Sequence, residues 1–220
     1  MKLARTLTML AAVVALTAVP TTAVAHEPEA RGGVVTAGLP FSTGTTSRCT
    51  TGFATEHASL GDGFLAAGHC GSVGDRAYVN NVAVGVVRLR ASNGLTWLWV
   101  ELDDGWTASP ALPGGGSITD DRETPIGGSV CRIGSTTGWH CGTVQAKNAT
   151  VSYPQGTVTG LTRTNVCAEP GDNGGPFVSG SSAQGIALGG SGNCSSGGTT
   201  YFYPVRRVFS EAPALSIIGG

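Results

Sequence analysis

The sequence predicts an all-β fold that ends in one C-terminal helix. Two observations carry that expectation. From Val34 onward, short apolar alternating runs recur at roughly ten-residue intervals between clusters of Gly, Asn, Ser and Pro. The chain also holds 35 glycines against 12% charged residues, which suits turns and half-buried strands better than amphipathic helices. In order, Ala77-Tyr78-Val79, Val82 to Val87 and Leu98-Trp99-Val100 read as strands of a first half. A Pro/Gly-rich passage from Ala108 to Gly116 breaks the pattern and is the expected link between two halves of similar size. Gly142-Thr143-Val144 and Thr157-Val158-Thr159 read as strands of the second half. Pro204 to Ala212 is the helix: Pro starts it, and Val205, Val208 and Phe209 recur at helical spacing. These patterns alone specify a β-sandwich or a barrel.

The first residues predict export. Lys2 and Arg5 precede an apolar run from Met9 to Val19 that is too short to span a bilayer, and Ala23-Val24-Ala25 supplies a small-x-small cleavage pattern. Residues 1–25 are therefore expected to be a signal peptide, and the protein is expected to be secreted. The formal net charge of −1 provides no basic field for nucleic acid and no polybasic patch for anionic lipid, so neither is an expected partner. Six cysteines in an exported chain imply three disulfides, and their spacing leaves fifteen pairings open. No CxxC pair or CxH cluster points to a metal, and no cofactor is expected.

Two segments carry chemistry. One is Ala66-Ala67-Gly68-His69-Cys70. The other runs from Asn165-Val166-Cys167-Ala168-Glu169-Pro170 into Gly171-Asp172-Asn173-Gly174-Gly175-Pro176, where the glycines let the backbone turn tightly and aim N–H groups at a developing oxyanion. Together they resemble the histidine and nucleophile motifs of chymotrypsin-like serine peptidases. The resemblance is greatest to the secreted bacterial branch that includes the streptogrisins and alpha-lytic protease.

The resemblance covers nearly the whole mature chain. It implies two six-stranded antiparallel β-barrels, residues 32–107 and 125–203, joined by a linker at 108–124 and followed by a C-terminal helix and tail at 204–220. The active site would lie in the cleft between the barrels. The resemblance also selects the disulfides Cys49–Cys70, Cys131–Cys141 and Cys167–Cys194, each worth about 3 kcal/mol by the chain-entropy argument. It implies a structural ion pair between Arg132 and Asp172, and an oxyanion hole built from Gly171 and Asn173. Leu188-Gly189-Gly190 would be the substrate-binding edge, open to a large apolar side chain, with no acid evident to favour Lys or Arg. Streptogrisin-like precursors carry a large pro-segment, whereas only residues 26–31 separate signal from mature-like sequence here. That shortness is read either as unaided folding or as self-inhibition made unnecessary in a chain that cannot cut.

Against the resemblance stand three departures. Asn173 occupies the nucleophile serine position, and a carboxamide offers no proton that a base can remove at ordinary pH. The triad Asp should precede a hydrophobic strand within Asn93-Gly94-Leu95-Thr96-Trp97-Leu98-Trp99-Val100. Aligning on Trp99-Val100 places Thr96 there, and aligning on Asn93 places Gly94 there. Asp103 and Asp104 follow that strand, about 20 Å away at ~3.3 Å per residue. Leu188 replaces a serine that in relatives hydrogen-bonds the triad Asp. His69 is retained, while His26, His57 and His140 are expected on the surface. Ser181 and Ser191 lie nearby in sequence but outside any nucleophile turn, and Asn173-Gly174 is a deamidation-prone dipeptide whose Asp product would be a weak nucleophile. Loss of the serine alone lowers kcat about 10⁶-fold in a triad enzyme.

The expectation is a secreted, monomeric peptidase homologue without catalytic activity that keeps a peptide or protein ligand in its inter-barrel cleft. The alternative is an active secreted serine endopeptidase of the streptogrisin type, working through a serine elsewhere.

Overall fold

The computed structural model describes residues 32–44 and 48–219, so the predicted signal peptide and residues 26–31 lie outside the described residues. The first half contains β1 (Val34–Val35), β2 (Pro40–Thr43), β3 (Cys49–Thr50), β4 (Ala54–His57), β5 (Gly61–Ala66), β6 (Arg76–Val79), β7 (Val82–Arg90), β8 (Leu98–Leu102) and β9 (Thr107–Ala108). The second contains β10 (Ser129–Gly134), β11 (Gly138–Tyr153), β12 (Gly156–Thr164), β13 (Pro176–Ser179), β14 (Ser182–Asn193) and β15 (Gly197–Pro204). Helix α1 (Val205–Glu211) and strand β16 (Leu215–Ile217) follow.

In the second half the order β10-β11-β12-β15-β14-β13 closes into a six-stranded antiparallel barrel. Closure leaves no exposed sheet edge and encloses Val130, Val144, Val166, Phe177, Ala187 and Phe202, with the Phe177 and Phe202 rings 4.8 Å apart. The first half departs from a plain six-stranded barrel: its ladder is eight-stranded, in the order β16-β4-β5-β8-β7-β6-β2-β3. The extra count has a simple cause. β3 and β4 are two ends of one segment, Cys49 to His57, that bends and changes partner. Its first end pairs with β2 and its second with β5. Between them, Thr51 N–H donates to Leu39 and Gly52 N–H donates to Leu65, so the ladder continues around the ring. Six chain segments thus surround a core that includes Phe41 and Phe64, packed edge to face at 5.2 Å. β16 is the addition, antiparallel to β4.

The C-terminal tail is therefore more than an appendage to the helix. Leu215 and Ile217 alternate inward with relative exposures of 4% and 9%, and they tie the end of the chain to the first barrel. The helix starts at Val205, one residue later than expected, because Pro204 is extended (φ −60°, ψ 132°) and acts as its N-cap. Val205 and Val208 are its buried positions. At its far end Glu211 accepts a 2.7 Å hydrogen bond from Trp97 Nε1 and another from the Tyr203 hydroxyl, linking both halves. Burial, that hydrogen bond and the Glu211 charge push the Tyr203 hydroxyl up to about 12. Disulfides join Cys49 to Cys70, Cys131 to Cys141 and Cys167 to Cys194. His57 and His140 are half-buried rather than superficial, and His57 packs on Trp99 with ring centroids 5.5 Å apart.

Because β16 is held by only three residues, its two inward side chains should carry its anchoring. Leu215→Ala is expected to lower stability by about 2–5 kcal/mol in urea unfolding. A loss within about 0.5 kcal/mol, the range of a neutral surface change, would show that the tail does not brace the first barrel.

Candidate active site

The nucleophile-like loop is shaped from below by a buried charge. Asp172 and Arg132 are both fully buried, and Arg132 Nη1 lies 3.2 Å from Asp172 Oδ2 as an ion pair without hydrogen-bond geometry. The carboxylate is saturated by the N–H groups of Thr136, Thr137 and Glu169 and by the Thr137 hydroxyl at 2.7 Å. Arg132 Nε donates to the Cys167 carbonyl and Nη2 to the Thr137 hydroxyl. Burial lowers the Arg132 pKa, opposed by the charges of Asp172 and Glu169. Thr50 pins the loop from the first barrel: its N–H donates to the Asn173 carbonyl at 2.8 Å and its hydroxyl to the Gly171 carbonyl at 2.7 Å. Gly174 is required at the turn, with φ +92° and room for a Cβ only 2.4 Å from the Thr50 carbonyl oxygen. Among the described residues, neither the Gly171 N–H nor the Asn173 N–H has an acceptor.

His69 sits on a single 3-10 turn, Gly68–Cys70, whose last residue is bonded to Cys49. Asn173 Nδ2 lies 3.3 Å from His69 Nε2. An amide nitrogen only donates, so Nε2 is the acceptor and the ring proton resides on Nδ1. Burial first, and then the positive charge of Arg90, hold the imidazole below its ordinary pKa of 6.5.

The charge that His69 senses is a cation. Arg90, at the end of β7, donates from Nε to the Gly68 carbonyl at 2.8 Å and from Nη2 to the Gly94 carbonyl at 2.6 Å. Among the described residues no carboxylate oxygen lies within 4.0 Å of a His69 ring nitrogen; Asp103 is paired with Arg76. Thr96 is buried, its backbone packed against Gly68, and its hydroxyl donates to Asn93 Oδ1. Gly94 is left-handed at φ +65°, and a Cβ there would lie 3.0 Å from Arg90 Cζ. Of the two positions weighed for a triad acid, Thr96 is buried and Gly94 lines the cleft.

A cleft of about 1040 Å³ unites these groups. It is lined by His69 and Asn173, by Leu188, Gly189 and Gly190, and by Arg90 and Leu95. Leu188 is buried at 5% exposure, Gly189 is half-buried and Gly190 is exposed. Glu169 also lines the cleft, with Oε1 accepting from the Cys194 N–H at 2.9 Å. Sequence reasoning missed Arg90 and Tyr153. Arg90 ends an ordinary alternating strand and carries no motif. Tyr153 lines the cleft with a buried hydroxyl that has no hydrogen-bond partner, and burial raises its pKa.

Other candidate chemistries find no support here. Ser181 is exposed on a turn, Ser191 is exposed in β14 opposite Thr199, and neither hydrogen-bonds His69. The Gly174 nitrogen, which would have to attack the Asn173 side chain for deamidation, donates instead to the Ala187 carbonyl at 2.8 Å. Two groupings with metal-like proximity, Cys49 with His69 and Cys70, and His140 with Cys167 and Cys194, have their sulfurs committed to disulfides and so offer no thiolate.

In an NMR titration, His69 should protonate below 6.5, and Arg90→Gln should raise its midpoint only in part, since burial is the larger cause. The stability contributed by the neutral ring is present above the unfolded value of about 6.5 and is lost as pH falls through the lower folded value. A midpoint at or above 6.5 would reveal an anion beside the ring.

Residues 45–210 match the trypsin family. The chain is 47% identical over 176 residues to streptogrisin-C of Streptomyces griseus, covering 78% of this chain but 38% of that protein. It is 42% identical over 161 residues to serine protease 2 of Streptomyces fradiae, covering 70% of this chain and 92% of that one. The crystal structure of Thermobifida fusca Protease A is similar at TM-score 0.78 and 43% identity, over 86% of this chain and 100% of that one. The chain therefore belongs to the trypsin family, with the fold of a chymotrypsin-like serine peptidase and streptogrisins among its relatives.

Proposed function

We propose that this protein is a secreted, catalytically silent member of its family that binds peptide in the inter-barrel cleft. The observation that carries the reading is the Asn173–His69 contact: a carboxamide donates to the imidazole at the point where a triad requires a hydroxyl for the base to activate. The charge of Arg90 supports it, since it opposes an imidazolium that a triad carboxylate would stabilise. Leu188 fits the same picture, because without a buried acid nearby an apolar side chain is the better occupant of a buried site. The ordered loop, the two unpartnered amides and the open Gly189-Gly190 edge support retained binding of an extended chain as an added strand. Three disulfides fit an oxidising, extracellular setting.

Repair of the triad tests this reading. Asn173→Ser alone should restore little cleavage of a chromogenic peptide with a large apolar residue before the scissile bond, because the base stays unoriented; Asp-to-Asn in an otherwise intact triad already lowers kcat about 10⁴-fold. Asn173→Ser with Thr96→Asp and Leu188→Ser should exceed the single variant by about 10³-fold or more. Equal activity in the unmodified protein and the triple variant would refute the loss of chemistry. A folded but inactive triple variant would refute an intact cleft.

A further inference from the structure

Extending the peptide-binding reading above, we propose that the cleft takes the free C-terminal carboxylate of a peptide whose last residue is large and apolar. Donors with no acceptor lie on the loop that lines the cleft at Asn173. The Gly171 and Asn173 N–H groups have no partner among the described residues, and Asn173 Nδ2 carries two hydrogens, of which His69 Nε2 takes one. Three N–H groups are thus left for one ligand group. A carboxylate only accepts, through two oxygens, and its charge strengthens each bond. A carboxamide terminus would set its own NH₂ against these donors and leave polar groups unpaired.

Charge favours the same ligand. A triad enzyme holds a carboxylate behind its histidine, which repels an anionic product. In this chain Arg90 lines the cleft instead, tied to the carbonyls of Gly68 and Gly94, and its charge acts on His69. Asp172 is neutralised by Arg132 below the loop, and one Glu169 oxygen is occupied by the Cys194 N–H.

Shape disfavours a ligand that runs on. Asn173 extends three heavy atoms beyond Cβ, where a serine has one. Its Nδ2 reaches to 3.3 Å from His69, and its Oδ1 lies 3.9 Å from where a Cβ on Gly189 would be. The side chain therefore bridges the line that a continuous peptide must cross between nucleophile loop and imidazole. A peptide that stops there meets N–H groups with its carboxylate, and its final side chain passes Gly189 and Gly190.

Isothermal titration calorimetry with three N-acetylated peptides tests this: one ending in Phe as the free acid, the same sequence as the C-terminal amide, and the same sequence extended by two alanines. The acid should bind about tenfold tighter than either of the others, and Asn173→Ala should reduce that margin to about threefold or less. Equal binding of acid and amide, or an undiminished margin in Asn173→Ala, would overturn the proposal. Tighter binding of the extended peptide would overturn it while leaving the peptide-binding reading in place. No binding of any of the three would remove both.

Discussion

The cleft depends on one buried ion pair. Taking Arg132 and Asp172 out of water carries a desolvation penalty of several kcal/mol per ion, which their attraction offsets only if the remaining hydrogen-bonding capacity is filled. Here it is nearly filled: three backbone N–H groups and a hydroxyl converge on Asp172, and the Cys167 carbonyl and Thr137 hydroxyl receive Arg132. These bonds set the path of residues 169–175. That path turns the Gly171 and Asn173 carbonyls toward Thr50 and leaves their N–H groups without partners among the described residues. The pair specifies a conformation more than it adds stability.

This arrangement explains how chemistry and architecture separate. Neither Arg132 nor Asp172 contacts His69 or the Asn173 side chain in the hydrogen-bond network, so the loop can hold its shape whatever residue stands at 173. The imidazole is placed independently, by a 3-10 turn clamped to Cys49 and by Arg90 on the Gly68 carbonyl. What a triad adds to this frame is a hydroxyl, an orienting carboxylate and a partner for that carboxylate. At the places that the sequence resemblance assigns to them stand Asn173, Thr96 and Leu188, and the charge of Arg90 opposes protonation of the ring.

Much of this was legible in sequence wherever the information is contiguous. Five residues around His69 and a dozen around Asn173 are local motifs, because their chemistry needs a tight turn and a fixed run of glycines. The alternating run Ala77-Tyr78-Val79 became a strand that pairs with β7 through the short turn at Asn80 and Asn81. What stayed hidden is non-local. Arg90 reads as the end of a strand, and only folding brings it to Gly68 and Gly94. Leu215-Ser216-Ile217 is too short to announce a strand, and it becomes one because the bend after β3 frees an edge of β4. Glu169 sits in plain view in the nucleophile motif, yet its place on the cleft wall follows from the fold of the loop.

The central claim is that the cleft keeps its geometry and has no activated nucleophile. Incubation of the purified protein with a fluorophosphonate probe, read by intact mass spectrometry, tests it most directly, with the Asn173→Ser, Thr96→Asp, Leu188→Ser variant as the positive comparison. The account predicts no adduct on the unmodified protein and a stoichiometric adduct at position 173 in the variant. A covalent adduct on the unmodified protein, at any serine, would contradict it.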